Sequence, residues 1–326
     1  MTQKLKISLS ALAAALLLSN CQEAPDTAIQ QIKNASASEV VGTIEMEAPA
    51  RIVKAGFAPD DFAKWKSEIL LLSETGALYR TTANDTKISA IEGEFTDISG
   101  LSLGGNQVGF LGLKPDGQMV TFKRNNETGN FSKTIFTAPD QAYRQFCAGS
   151  PGESQMLWAM RDDRTLDALA LEVSKTGHIE LSIENTVKAP FKTSHCATSY
   201  DGQLSVQDAK TGNIRLRDGD KWSALTRSAQ IGPYSWLSGA QDKAVLTSAA
   251  QMGNLSRHGE DAVHTVTIID GLGISGMERP GLAVATTVNL GSTFADGAVL
   301  VADDESGRVI LIAKPYFVQV TTGSAN

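Results

Sequence analysis

The sequence predicts an all-β fold, a six-bladed β-propeller spanning about Ala50 to Val320. Three observations predict it. From Ala50 onward the chain consists of short apolar runs of four to eight residues, with almost no helical periodicity. These runs are joined by tight turns carrying glycine, such as Glu74-Thr75-Gly76, Pro115-Asp116-Gly117, Lys175-Thr176-Gly177, Asp201-Gly202 and Lys210-Thr211-Gly212; glycine accepts positive φ without a Cβ clash. Cys147 and Cys196 stand 49 residues apart, each followed by a strand–turn–strand unit. A four-stranded blade takes roughly 40–50 residues, so about 270 residues hold six. A stacked pair of β-sandwiches is the alternative, but a propeller covers every sheet face with its neighbours and leaves only short edges.

In chain order, the first element is a leader. Lys4 and Lys6 precede Ile7 to Leu18, an apolar segment too short to span a bilayer as a mature helix. Leu18-Ser19-Asn20-Cys21 resembles a bacterial lipobox, although Asn20 departs from the small residue usual before the cysteine. The resemblance implies a signal peptide over 1–20, lipidation of Cys21 and, because Gln22 is not an aspartate, an outer-membrane destination. The membrane, through this lipid, is then the first expected partner. Residues 21–49 are poor in aromatics and rich in Gln, Ala, Ser, Glu and Thr, and are expected to form a flexible tether. Val40 to Glu45 is the part best suited to dock as a strand, and such a strand is one way to close the last blade.

Charge and cysteines narrow the function. A formal net charge of −7, more negative still without the leader, does not suit nucleic acid, whose binding leans on neutralised phosphates. Beyond Cys21 only Cys147 and Cys196 remain, without a CxxC or a cysteine–histidine cluster, so a zinc site is not expected. An exported compartment permits the two to pair, and their blade-like spacing would place them at equivalent inner positions of adjacent blades. Trp65, Trp158, Trp222 and Trp236 sit in strand-like surroundings and read as blade packing.

Within the propeller, Ile69 to Leu72 leads through Gly76 to Ala77 to Arg80, and Val108 to Leu113 through Gly117 to Met119 to Phe122. Met156 to Met160 pairs with Leu166 to Val173 in the same way. Residues 321–326 are left as a tail.

Several of these elements together resemble the β-propeller (alkaline) phytases. Gly56-Phe57-Ala58-Pro59-Asp60-Asp61-Phe62-Ala63-Lys64-Trp65 is similar to that family's opening Asp-Asp-Pro-Ala-Ile-Trp. Glu74 to Tyr79 resembles its first-blade turn. Phe95 to Ile98 with Leu103-Gly104-Gly105 resembles its Asn-Asn-Val-Asp and Leu-Gly-Gly elements, Phe146-Cys147 and His195-Cys196 its Leu-Cys and Gly-Cys. Gly281 to Val284, Phe294 to Gly297 and Val301 to Asp304 resemble its closing blade.

The resemblance implies calcium held by carboxylates, phosphate held by basic side chains and hydrolysis of phosphomonoesters of inositol hexakisphosphate. It nominates Asp61, Asp97 and Asp303 as metal ligands and Lys114 and Arg161 as phosphate-binding residues. The sequence departs from the pattern where Ser194 replaces a glutamate, Gln207-Asp208 a pair of glutamates, and Ser275 to Gly281 a run of aspartates. A degraded metal site follows, with no catalytic residue assigned, no cofactor expected and calcium the only candidate. His195 is a general base by residue type, but no motif fixes a partner beside it, and a structural histidine is the simpler reading. Asp116, Asp201, Asp218 and Asp296 read as turn-formers, and Asp303-Asp304-Glu305 before Ser306-Gly307 reads as a turn ahead of its reading as a metal ligand. Two functions stay open: a non-catalytic lipoprotein binding an envelope protein or small ligand, and a calcium-dependent phosphomonoesterase of 3-phytase type.

Overall fold

The computed structural model describes residues 36–322 apart from 105–106, 148, 150–155, 229–230, 238–243 and 260–262. The leader, Cys21 and residues 22–35 of the expected tether lie outside the described residues. Six sheets form the blades. Blade 1 holds β3 (Ile52–Ala58), β4 (Glu68–Ser73), β5 (Ala77–Thr81) and β6 (Ser89–Glu94). Blade 2 holds β7 (Asp97–Ser102), β8 (Val108–Leu113), β9 (Met119–Arg124) and β10 (Phe131–Lys133). Blade 3 holds β12 (Gln145–Phe146), β13 (Met156–Met160), β14 (Thr165–Val173) and β15 (Ile179–Lys188), with β11 (Phe136–Thr137) parallel to β15 on its outer edge. Blade 4 runs through β16 (Thr193–Thr198), β17 (Leu204–Asp208), β18 (Asn213–Asp218) and β19 (Lys221–Arg227). Blade 5 runs through β20 (Tyr234–Trp236), β21 (Val245–Ala249), β22 (Asn254–His258) and β23 (Val263–Ile269), and blade 6 through β24 (Pro280–Thr286), β25 (Ala298–Asp303) and β26 (Arg308–Ala313).

The last two blades are completed from the other end of the chain. The strand β1 (Ser36–Val41) runs parallel to β23, from Ser36 opposite His264 to Val41 opposite Ile269. The strand β2 (Ile44–Glu47) pairs antiparallel with β26 and supplies the fourth strand of blade 6. The expected tether of 21–49 therefore does not run to residue 49. Residues 36–47 are held by ladder hydrogen bonds, and Val40 and Met46 are buried. At the other end, the helix α1 (Lys314–Thr322) follows β26 directly and inserts Phe317, fully buried, beside Val40 and Ile312, so the expected tail boundary at 321 falls inside a helix. Pro315 stands in its first turn, where a missing N–H costs nothing.

Six apolar clusters fill the six blade–blade interfaces. The arrangement explains the continuous apolar runs. Along β4, Ile69 and Leu71 face blade 6 while Leu70 and Leu72 face blade 2, so no face is left for polar residues. At each inner edge the first strands of neighbouring blades run the same way: Lys54 meets Asp97 and Phe57 meets Gly100. A Cβ on Gly100 would lie 1.8 Å from the Phe57 carbonyl oxygen, so only glycine permits this approach. The outer turns use glycine as the sequence predicts, with φ of 82° at Gly76 and 83° at Gly117. Trp158 and Trp236 are buried between blades, but Trp65 is 56% exposed on a short 3₁₀ turn, contrary to its reading as blade packing.

Candidate functional site at the channel rim

Because the inner strands share one direction, the residues at their starts form one rim of the central channel. Lys54 of β3 forms an ion pair with Asp97 at the head of β7, and its Nζ lies 3.4 Å from the Phe146 carbonyl oxygen of β12. Asp97 is fully buried and also accepts from the amides of Phe146 (2.6 Å) and Ile98 (2.6 Å). Burial pushes its carboxyl up; Lys54 and the two amides act against that shift.

On the other side of β12, Cys147 is joined by a disulfide to Cys196 of β16, with Cα atoms 4.6 Å apart. Gln145 points its Nε2 at Cys196 Sγ, 3.7 Å away. His195 precedes this cysteine. Burial, then the Lys54 charge and, more weakly, that of Arg144 lower its pKa to about 4, against a hydrogen bond with Gln207. Its Nδ1 is buried and has no hydrogen-bond partner among the described residues. Gln207 is itself fixed, its Oε1 accepting from Ser194 Oγ (3.0 Å) and Gly232 N (3.1 Å). Ser194 and Gln207, which stand where the phytase resemblance calls for carboxylates, thus bond to each other.

Several further charges at this end are matched in pairs. Asp167 is buried in blade 3 and accepts from Arg161 Nη2 (2.8 Å), Thr186 Oγ1 (2.7 Å) and Tyr143 OH (2.9 Å). In blade 6, Asp304 accepts from Arg51 (2.7 Å) and lies 3.6 Å from Arg279, which also reaches Glu305 at 2.5 Å. Arg51 lies 3.4 Å from Glu74.

The nominated ligands are not brought together. Asp61 follows β3, at the opposite end of the inner strands from Asp97, and pairs at 3.3 Å with Lys64. Its neighbour Asp60 is buried against Arg124 (2.5 Å). Asp303 closes the turn after β25, accepting from the amides of Glu305 and Ser306, both at 2.9 Å. Asp61 and Asp97 thus stand at opposite ends of the inner strands, and among the described residues no three His, Cys, Asp or Glu side chains group as metal ligands. Nor do Lys114 and Arg161 converge: Arg161 is committed to Asp167. Lys114 lines a groove of about 640 Å³ between blades 1 and 2, with Phe95, Phe122 and Phe131 on its floor.

Sequence reasoning overlooked Lys54, Arg144 and Asp167. A lone lysine inside the apolar run Ile52 to Ala58 was the available signal for the first.

This end of the molecule is a charge-paired channel rim on a six-bladed β-propeller. No protein-family model matches the chain, and no curated protein matches it. Solved propellers do. A Bacteroides thetaiotaomicron protein of unknown function is similar at 11% identity over 85% of this chain and 74% of its own, with a TM-score of 0.52. YCF48 bound to a D1 peptide matches at 10% identity over 86% and 99%, TM-score 0.48. A virginiamycin B lyase from Staphylococcus aureus matches at 12% identity over 82% and 97%, TM-score 0.43. At such identities the likeness is one of fold alone.

Proposed function

We propose that this protein is an exported lipoprotein whose propeller binds an envelope protein or a small ligand at its channel rim and does not hydrolyse phosphomonoesters. The observation that carries this reading is the pairing of the rim carboxylates. A calcium site needs several anionic oxygens aimed at one point. Here Asp97, Asp167 and Asp304 each already face a lysine or arginine of the same chain. Such a rim is preorganised and nearly neutral, which suits recognition better than metal-assisted attack by water.

The leader and the lipobox-like Cys21 support anchoring by diacylglycerol and palmitate in the outer membrane, facing the periplasm or the surface. Residues 22–35 would link that anchor to β1 on the outer edge of blade 5.

The test is phosphate release from phytate and from a generic phosphomonoester, with millimolar calcium and again with chelator. No calcium-dependent release is expected. Robust release that is lost on Asp61→Ala would replace this reading with the phosphomonoesterase one. For the anchor, radiolabelled palmitate should be incorporated by the wild-type chain and not by Cys21→Ala; equal labelling of both would sink it.

A further inference from the structure

Arg144 breaks the pattern of the rim. It stands exposed directly before β12, its backbone amide donating to Met160 O at 2.9 Å. Among the described residues its guanidinium has no hydrogen bond or ion pair. The two residues after it tie this position to both neighbouring blades: Phe146 accepts from Lys54 in blade 1, and Gln145 touches Cys196, next to His195, in blade 4. Lys54, Arg144 and His195 therefore surround one stretch of the channel lip. The fields of Lys54 and Arg144 both act on the His195 ring.

We propose that the rim between blades 1, 3 and 4 binds a single carboxylate group, gripped by the Arg144 guanidinium and the Lys54 ammonium, with the His195 ring at its edge. The proposal deepens the ligand-binding reading and rests on it. Charge decides the ligand class. The Lys54 charge is cancelled by Asp97, and His195 faces Lys54, Arg144 and the neutral Gln207 amide as an uncharged ring. One positive charge is left over. A planar monoanion with two oxygens matches the guanidinium fork and that single charge. A phosphate monoester, with about −1.5 to −2 charges, would leave excess negative charge beside Asp97. The carboxylate can come from the C-terminus of a peptide or from a small organic acid.

The experiment uses the full-length exported protein in detergent. The probes are acetate, trialanine, trialanine amide and inorganic phosphate, and the readouts are titration calorimetry and the NMR resonances of the His195 ring. At pH 7, where the probes are ionised, carboxylate binding should shift the His195 ring resonances, because the added negative charge lies at the ring edge. Arg144→Gln, at an exposed position that does not endanger folding, should weaken binding on the order of tenfold. Equal binding of acetate and trialanine would support a small acid as the source. Binding of trialanine without acetate or the amide would support a peptide C-terminus. The proposal is overturned if neither acetate nor trialanine shifts the His195 ring resonances, if Arg144→Gln binds as well as wild type, or if phosphate binds more tightly than both acids. Calcium-dependent phytate hydrolysis would remove the non-catalytic reading and leave the acetate result standing, so the two failures are separable.

Discussion

Removing the disulfide between Cys147 and Cys196 should cost this propeller about 2–4 kcal/mol. The bond joins the inner strands of blades 3 and 4 across a sequence separation of 49. In the chain-entropy account, closing a loop of that length in the unfolded chain gives an upper value of about 4 kcal/mol. Little else changes, because both cysteines are 3% exposed within an apolar cluster with Trp158, Met160 and Val206, where a short apolar side chain still packs. The variant is therefore the double Cys147→Ala, Cys196→Ala, since alanine adds no buried hydroxyl. Urea unfolding of wild type with and without reductant, beside the double variant, reads the effect. A loss of about 3 kcal/mol corresponds to roughly 5 °C in midpoint for a domain of this size. The double variant should be insensitive to reductant. Both thiols of the exported, unreduced wild type alkylating freely, or a reductant effect below about 0.5 kcal/mol, would refute the reasoning.

Other perturbations test separate parts of the fold. His258 is 3% exposed, bonded to Thr226 and Thr247 at 3.0 Å each, and burial lowers its pKa to about 4. The unfolded chain, with a histidine near 6.5, takes up a proton first, so stability present above pH ~6.5 should fall by up to about 3 kcal/mol as pH drops to 4. His258→Gln should remove that share of the slope in urea titrations run across the range. Arg124→Ala removes the ion-pair partner of buried Asp60 and leaves buried Glu68 with Arg80 alone, and should cost about 3–5 kcal/mol, measured by the shift in unfolding midpoint. Gly100→Ala should cost about 2–3 kcal/mol because its Cβ meets the Phe57 carbonyl, whereas Gly232→Ala, with nothing within 4 Å of the added carbon, should stay within about 0.5 kcal/mol.

The propeller was legible because its two signals are local. Turn glycines announce themselves by residue type, and a strand buried on both faces, such as Ile69 to Leu72, appears as an unbroken apolar run. The closing strands were harder to see. Ser36 to Val41 carries small polar residues, and among its described side chains only Val40 is buried, so composition alone reads as linker. What holds it is a parallel ladder to β23, more than 200 residues away in sequence, and no local pattern encodes that partner. The helix α1 follows the last strand without a break; only Pro315 and the apolar Phe317 marked it.

The candidate site was less legible for a reason specific to charges. A carboxylate in a sequence is the same residue whether it holds a metal, closes a turn or neutralises an arginine. Asp303 bonds backbone amides, Asp61 faces Lys64 in solvent, and Asp97 lies inside the rim against Lys54. Their different roles follow from where the strands deliver the cations, which motif matching does not supply. Arg144 illustrates the converse. In sequence it is one basic residue among many; in the folded rim Arg51, Lys54 and Arg161 are all matched, and it becomes the position where an incoming anion meets an uncompensated charge. The information needed to find it was the pairing of Arg51, Lys54 and Arg161, and that pairing exists only once six blades have closed.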